Sequence, residues 1–349
     1  MNKAILFAFA SAALFGLSAP AGKALLAAIS PAVLAGLFYC GAGVGVAVLR
    51  RIQTRRGSRA PEVALGRQDL PWLAGAVFCG GIVGPLLLMT GLAQTQAATA
   101  SLLLIFEGAA TALLAWLIFR EQYGTRLLLG MACLVAGAVI LAWSGTPTLQ
   151  SIWGPLAIVG ACIAWAIDNN LTRKVSLADP LQIVEIKGLV AGPINLALGL
   201  WAGGALPEPT TALIAGSVGF VCYGLSLVLF IRALRELGTA RASAYFSTAP
   251  FIGALGAVLA LGEPMTMQLA AAGLLMAAGV WLHLTERHEH AHLHVALEHA
   301  HPHVHDAHHQ HNHSPSDPPD EPHTHAHNHR PMTHAHPHTP DVHHGHRHE

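Results

Sequence analysis

The sequence predicts an all-α membrane protein: ten transmembrane helices arranged as two inverted five-helix repeats, plus a disordered C-terminal tail. Three observations predict it. Of 349 residues, 53% are hydrophobic and only 11% charged, where a soluble globular protein carries about 25% charged. Apolar stretches recur at the length of a bilayer crossing. Residues 286–349 hold 23 of the 24 histidines and almost no large apolar side chains. The chain therefore divides into a first repeat (1–145), a second repeat (150–285) and a tail (286–349).

A membrane helix needs about 20 mostly apolar residues. That window picks out 4–28, 32–50, 70–91, 97–119, 126–144, 153–173, 180–202, 211–232, 240–261 and 267–284. The stretch at 4–28 reads as a first span rather than a removable signal, because it has a counterpart later in the chain. Lys and Arg accumulate in cytoplasmic loops. With the N-terminus inside, 17 of the 19 basic residues fall on the inner side. The exceptions are Lys23, near the outer end of the first span, and Lys187, within the seventh. Both termini are thus expected in the cytoplasm of an inner (plasma) membrane protein. Trp72, Trp116, Trp143, Trp153, Trp201 and Trp281 fall near the span ends, where indoles anchor helices.

The halves resemble one another. Phe15-Gly16 and Lys23 align with Trp165-Ala166 and Arg173, Ser30-Pro31 with Asp179-Pro180, and Ala100-Ser101 with Ala242-Ser243. Glu121 follows the fourth span as Glu263 follows the ninth, and Gly137 matches Gly279. Five spans per half is an odd number, so the second half enters the membrane inverted. Inverted repeats are a recurring transporter design, with the substrate site near the midplane.

The second half reads Ala233-Leu234, Ala240–Ala244, Pro250, Gly262-Glu263, Gly279, and the first Gly91-Leu92, Ala97–Ser101, Glu107-Gly108, Glu121, Gly137. In order and spacing this resembles the EamA family of the drug/metabolite transporter superfamily, over about 280 residues. The resemblance implies a ten-helix secondary transporter or exporter of small solutes, without naming the solute. Two departures stand out. Glu107-Gly108 replaces the proline of the fourth helix. Phe38-Tyr39 stand where a basic residue is common in the second, although its partner in the seventh survives as Lys187.

Ionisable groups inside a membrane are costly and need a reason. Glu107 lies ten residues after Ala97 and thirteen before Arg120. That places it about 15–20 Å from either end of its helix, near the midplane, as a candidate substrate ligand or proton carrier. Asp168, Asn169 and Asn170 form a polar run in the sixth span, and Glu185 and Lys187 lie in the seventh. In a hairpin centred near residue 177, Asp168 should match Lys187 in depth, and Asn170 should match Glu185. The set reads either as a buried ion pair or as a gate and solute-coordinating cluster lining the transport pathway. Gln94 and Gln96 read as interfacial, His283 as an interface residue, and Glu121 and Glu263 as loop-fixing. Cys40, Cys79, Cys133, Cys162 and Cys222 all sit in apolar stretches with no C-x-x-C pair, so they read as small buried hydrophobes.

The tail alternates histidine with other residues. His288, His290, His292 and His294 form one row, and His299, His301, His303 and His305 a second. His308, His309, His311 and His313 follow, then His323, His325, His327 and His329, and then His334, His336 and His338. His343, His344, His346 and His348 close the chain. In an extended chain, residues i and i+2 point the same way, so each row offers several imidazoles to one ion. Residues 301–313 match 336–348 at 8 of 13 positions, a duplication that argues for use. Neutral imidazole suits Zn, Ni or Co, and no thiolate accompanies it. A pH-responsive tail is the competing reading.

The functions left open are three: a transporter of a divalent transition metal or its chelate, an amino-acid or metabolite exporter whose tail buffers or senses metal, and a membrane-anchored metal-binding module without transport. No cofactor is expected for transport itself. The expected partners are the lipid bilayer and a small solute or metal ion. A homodimer stays open, and no nucleic acid is expected. No nucleophile–base set or phosphate loop points to an enzyme.

Overall fold

The computed structural model describes residues 3–56, 65–119, 125–142, 149–175, 178–237 and 245–285, with four tail stretches at 289–294, 298–303, 323–328 and 332–337. The membrane body is helical. Its helices are α1 (Lys3–Gly16), α2 (Ser18–Leu25), α3 (Pro31–Arg55), α4 (Leu70–Ala76), α5 (Gly84–Gln94), α6 (Ala97–Leu103), α7 (Phe106–Phe119), α8 (Thr125–Ala142), α9 (Leu149–Val175), α10 (Pro180–Trp201), α11 (Pro209–Gly219), α12 (Ser226–Leu237), α13 (Ala249–Leu261) and α14 (Met267–Leu284). Six helical stretches are long and apolar enough to cross a membrane: Lys3–Leu25, Pro31–Arg55, Arg67–Gln94, Ile152–Thr172, Pro180–Trp201 and Pro209–Phe230. Four shorter apolar helices accompany them, at Ala97–Thr111, Leu128–Leu141, Ala249–Leu261 and Met267–Leu282.

Helices that correspond between the halves pack on each other antiparallel. Along α3 and α10, Val33 meets Gly199, Gly36 meets Leu196, Cys40 meets Gly192 and Gly43 meets Gly188. Gly137 and Gly130 of α8 likewise meet Met276 and Gly279 of α14. Small residues on both sides let the backbones approach. The buried core between the halves includes Leu34, Phe38, Leu88, Met89, Leu92, Leu103, Leu134, Ile158 and Met276.

Several spans read as continuous in the sequence are interrupted. The first breaks at Leu17 between α1 and α2. Pro20 has no N–H for the Gly16 carbonyl, and Gly16 instead abuts Gly253 of α13, with no room for a Cβ on either. The fourth breaks at Leu104–Ile105, where Ile105 and Glu107 donate to Leu102 and Leu104 three residues back. The third and eighth, equivalent in the two halves, each carry a π-helical segment, at Val77–Val83 and Phe220–Leu225. π-bulges collect at functional sites, and interruptions at matching places in two halves mark the substrate region of repeat transporters.

The tail departs from the expectation of no fixed fold in its described stretches. β1 (Glu289–His294) pairs antiparallel with β4 (Met332–Pro337), and β2 (Glu298–His303) with β3 (His323–Asn328). His290 stands opposite His336, His292 opposite His334, and His299, His301 and His303 opposite His327, His325 and His323. The period-two alternation that spaces the histidines also suits a ladder, which pairs backbone groups that a lone chain leaves to water. The other tail histidines lie outside the described residues.

Candidate functional site

The π-helical segment of the third span has an identifiable cause. Pro85 cannot donate, so the carbonyls four and five residues back, Gly81 and Gly80, lose their helical partner. The N–H of Gly84 goes to Cys79 rather than to Gly80. Three neighbouring helices supply the missing donors. Tyr39 Oη of α3 and Trp165 Nε1 of α9 both donate to the Gly80 carbonyl, at 2.7 and 2.9 Å. Asn195 Nδ2 of α10 donates to the Gly81 carbonyl at 2.8 Å. The interruption thereby fixes the mutual positions of α3, α9 and α10 around the third span.

Asp168 lies against this segment. A Cβ on Gly80 would collide with its carboxylate. Lys187 Nζ donates to both carboxylate oxygens, at 2.7 and 2.5 Å, and Thr172 Oγ1 donates to Oδ1 at 2.9 Å. Asp168 is buried, and its charge is fully answered. The depth match read from the hairpin centre is met for this pair. Asn170 and Glu185 do not bond to each other and take separate partners. Asn170 donates to the carbonyls of Ala166 and Thr111, at 2.9 and 3.4 Å. Glu185 instead accepts from Arg50 Nη1 of α3 at 2.7 Å, and Arg50 Nε also reaches Asp179 at 3.5 Å. Arg50 carries a full charge, which an amide cannot match.

Glu107 opens α7, directly after the break in the fourth span. Asn169 Nδ2 donates to its Oε1 at 3.0 Å and approaches Thr111 Oγ1 at 3.3 Å. Among the described residues it has no ion-pair partner. A Cβ on the next residue, Gly108, would meet nothing within 4 Å, so the helix here borders open space. Near Glu107 lies an aromatic cluster centred on Tyr223 of the second π-helical segment. Tyr223 lies 5.8, 5.7 and 5.9 Å from the rings of Phe15, Phe38 and Tyr39, and both tyrosines are close enough to Glu107 for direct electrostatic interaction. An unpaired carboxylate opposite π-faces can hold a cationic or hydrogen-bond-donating group.

Two matches of one family cover the body. The EamA-like transporter family matches residues 2–143 and again residues 152–285. This chain belongs to that family. It is a multi-pass membrane transporter with an internal repeat. Among similar proteins, an uncharacterized transporter of Methanothermobacter thermautotrophicus is 29% identical over 281 residues, covering 77% of this chain and 82% of that protein. The uncharacterized transporter YvbV of Bacillus subtilis is 23% identical over 196 residues, covering 55% and 64%. A solved crystal structure covers 81% of this chain and 96% of its own at 17% identity, with a TM-score of 0.58. That likeness shows the fold alone.

The remaining sequence-derived residues are placed as follows. Glu263 does fix a loop: its two carboxylate oxygens accept from the N–H groups of Ala97 and Ala98 at 2.7 and 2.8 Å. Glu121 lies outside the described residues. All five cysteines are free. Trp72, Trp153, Trp201 and Trp281 are exposed. No group of three metal-ligating side chains is brought together among the described residues. The sequence reading missed Tyr39, Tyr223, Trp165 and Asn195 as partners of the site. Pro85 was the available signal, since it announces two orphaned carbonyls that some donor must meet.

Proposed function

We propose that this EamA-like chain is a secondary transporter, working as an exporter, of a small organic solute that carries an amine or similar cationic group. Glu107 binds that group from the open side of α7, with Asn169 orienting the carboxylate and the Tyr39–Tyr223 wall covering the apolar part. The observation that carries the reading is the contrast within one polar run: Asp168 is neutralised by Lys187, while Glu107 beside it has no ion-pair partner among the described residues. All ten apolar helices cross the inner membrane with both termini cytoplasmic, supported by the distribution of 17 of 19 basic residues. The histidine tail binds a divalent transition metal, Zn, Ni or Co, at the cytoplasmic face and buffers or senses it.

A second reading, transport of the metal or its chelate, is favoured by the tail. Against it, the described part of the body offers no three-ligand cluster. Flux into vesicles carrying intact, tail-deleted and Glu107→Gln protein separates the two, using labelled amino acids and amines beside Zn²⁺, Ni²⁺ and Co²⁺. The expected result is amine flux that survives tail deletion and is lost in Glu107→Gln. Metal flux lost in Glu107→Gln, with no organic flux, overturns the proposal in favour of the second reading. Calorimetric titration of full-length against tail-deleted protein with Zn²⁺ or Ni²⁺ tests the tail, and millimolar or weaker binding in both sinks it.

A further inference from the structure

Two charged side chains grip the turn between α5 and α6, at the end of the bundle opposite the termini. On one side, Lys23 Nζ of α2 donates to the carbonyls of Leu92 and Ala93 at the end of α5, at 2.8 and 3.2 Å. On the other, Glu263 reaches across from the second half and takes both N–H groups that open α6. A cation at a helix C-terminus and an anion at a helix N-terminus each complement the local backbone charge. The two side chains also lie close enough to attract one another. Lys23 is one of the two basic residues that the inside-positive pattern does not explain, and this contact gives it a purpose.

The grip falls on one half of a broken span. α6 packs against α13 and α2, whereas α7 packs mainly on α9 and borders open space at Gly108. Ser101, in the second turn of α6, is buried without a hydrogen-bond partner beside Gly253 of α13. Lys23 and Glu263 therefore tie the α5–α6 turn to both halves of the body at this end.

We infer that Lys23 and Glu263 form a two-armed latch that holds this far end closed, and that its release exposes the α6–α13 seam from that side during the transport cycle. The inference rests on the chain being a transporter that exposes its site alternately, but not on the identity of the solute.

The test uses the full chain with its five native cysteines replaced, in sealed vesicles, and a membrane-impermeant maleimide applied separately from each side. Ser101→Cys reports the far seam and Gly108→Cys the exposed start of α7. With the latch intact, Ser101→Cys resists labelling from the far side, and Gly108→Cys labels readily from the side of the termini. Adding Glu263→Ala, or Lys23→Met as an independent second variant, raises far-side labelling of Ser101→Cys by roughly an order of magnitude and lowers labelling of Gly108→Cys. That is the reciprocal shift expected when charge-assisted bonds are lost from one of two states. Thermal unfolding of the purified proteins identifies a variant that fails to fold, and the other latch variant then decides. Unchanged labelling in a folded variant overturns the latch, and so does a rise at both positions, which marks a leak. Loss of solute flux in Glu107→Gln with latch labelling unaltered is a separate result, bearing on the solute site.

Discussion

Asp168 and Glu107 are both carboxylates within one polar region of the body, and they lead opposite lives. Asp168 is enclosed by Lys187, Thr172 and the bare backbone of Gly80. Glu107 accepts a hydrogen bond from the Asn169 amide. The first holds helices together. The second has no ion-pair partner among the described residues, and Lys187, whose charge it feels, is bonded to Asp168. A carboxylate in a membrane has a structural reading and a functional one, and here neighbouring groups divide the two readings between them.

The comparison breaks hardest at the ion pair. Lys187→Met should lower stability by about 3–5 kcal/mol, because it strands a buried charge. Thermal unfolding in detergent measures this, and the double variant Lys187→Met with Asp168→Leu should recover most of the loss. If the single variant stays stable, Asp168 does not depend on Lys187 and the structural assignment fails. Gly80→Ala comes next. Its methyl has no space beside the Asp168 carboxylate, and overpacking of this kind costs about 1–3 kcal/mol. Asn195→Ala removes the donor to the Gly81 carbonyl, for a loss of roughly 1–2 kcal/mol if no water replaces it. Trp165→Phe should cost less than that, since Tyr39 still donates to Gly80. Glu107→Gln is the smallest in stability, within about 1 kcal/mol, as the amide oxygen still accepts from Asn169. Solute flux, however, should vanish. A large stability loss in Glu107→Gln would place that residue in the same class as Asp168 and remove the contrast.

Much of the body was legible in the sequence. The apolar windows and the repeat came from composition and spacing. The Asp168–Lys187 pair came from counting outward from a loop, which works because two antiparallel helices descend at the same rate per residue. The count did not reveal the partner of Glu185, because a third helix brings Arg50 to it. The breaks at Leu17 and Leu104–Ile105 were not read, although Pro20 stands in the sequence as a reason for the first.

Hydropathy, basic-residue asymmetry and internal similarity are local properties, so the sequence by itself determined the membrane class, the expected orientation, the twofold repeat and the family. Which carboxylate is spoken for is not local. Asp168 and Asn169 are neighbours in the chain, but successive residues on a helix point about 100° apart. One therefore faces α10 and its lysine, and the other faces α7 and Glu107. Only the packing of three helices around α9 decided that the first is neutralised and the second is left facing an unpaired acid.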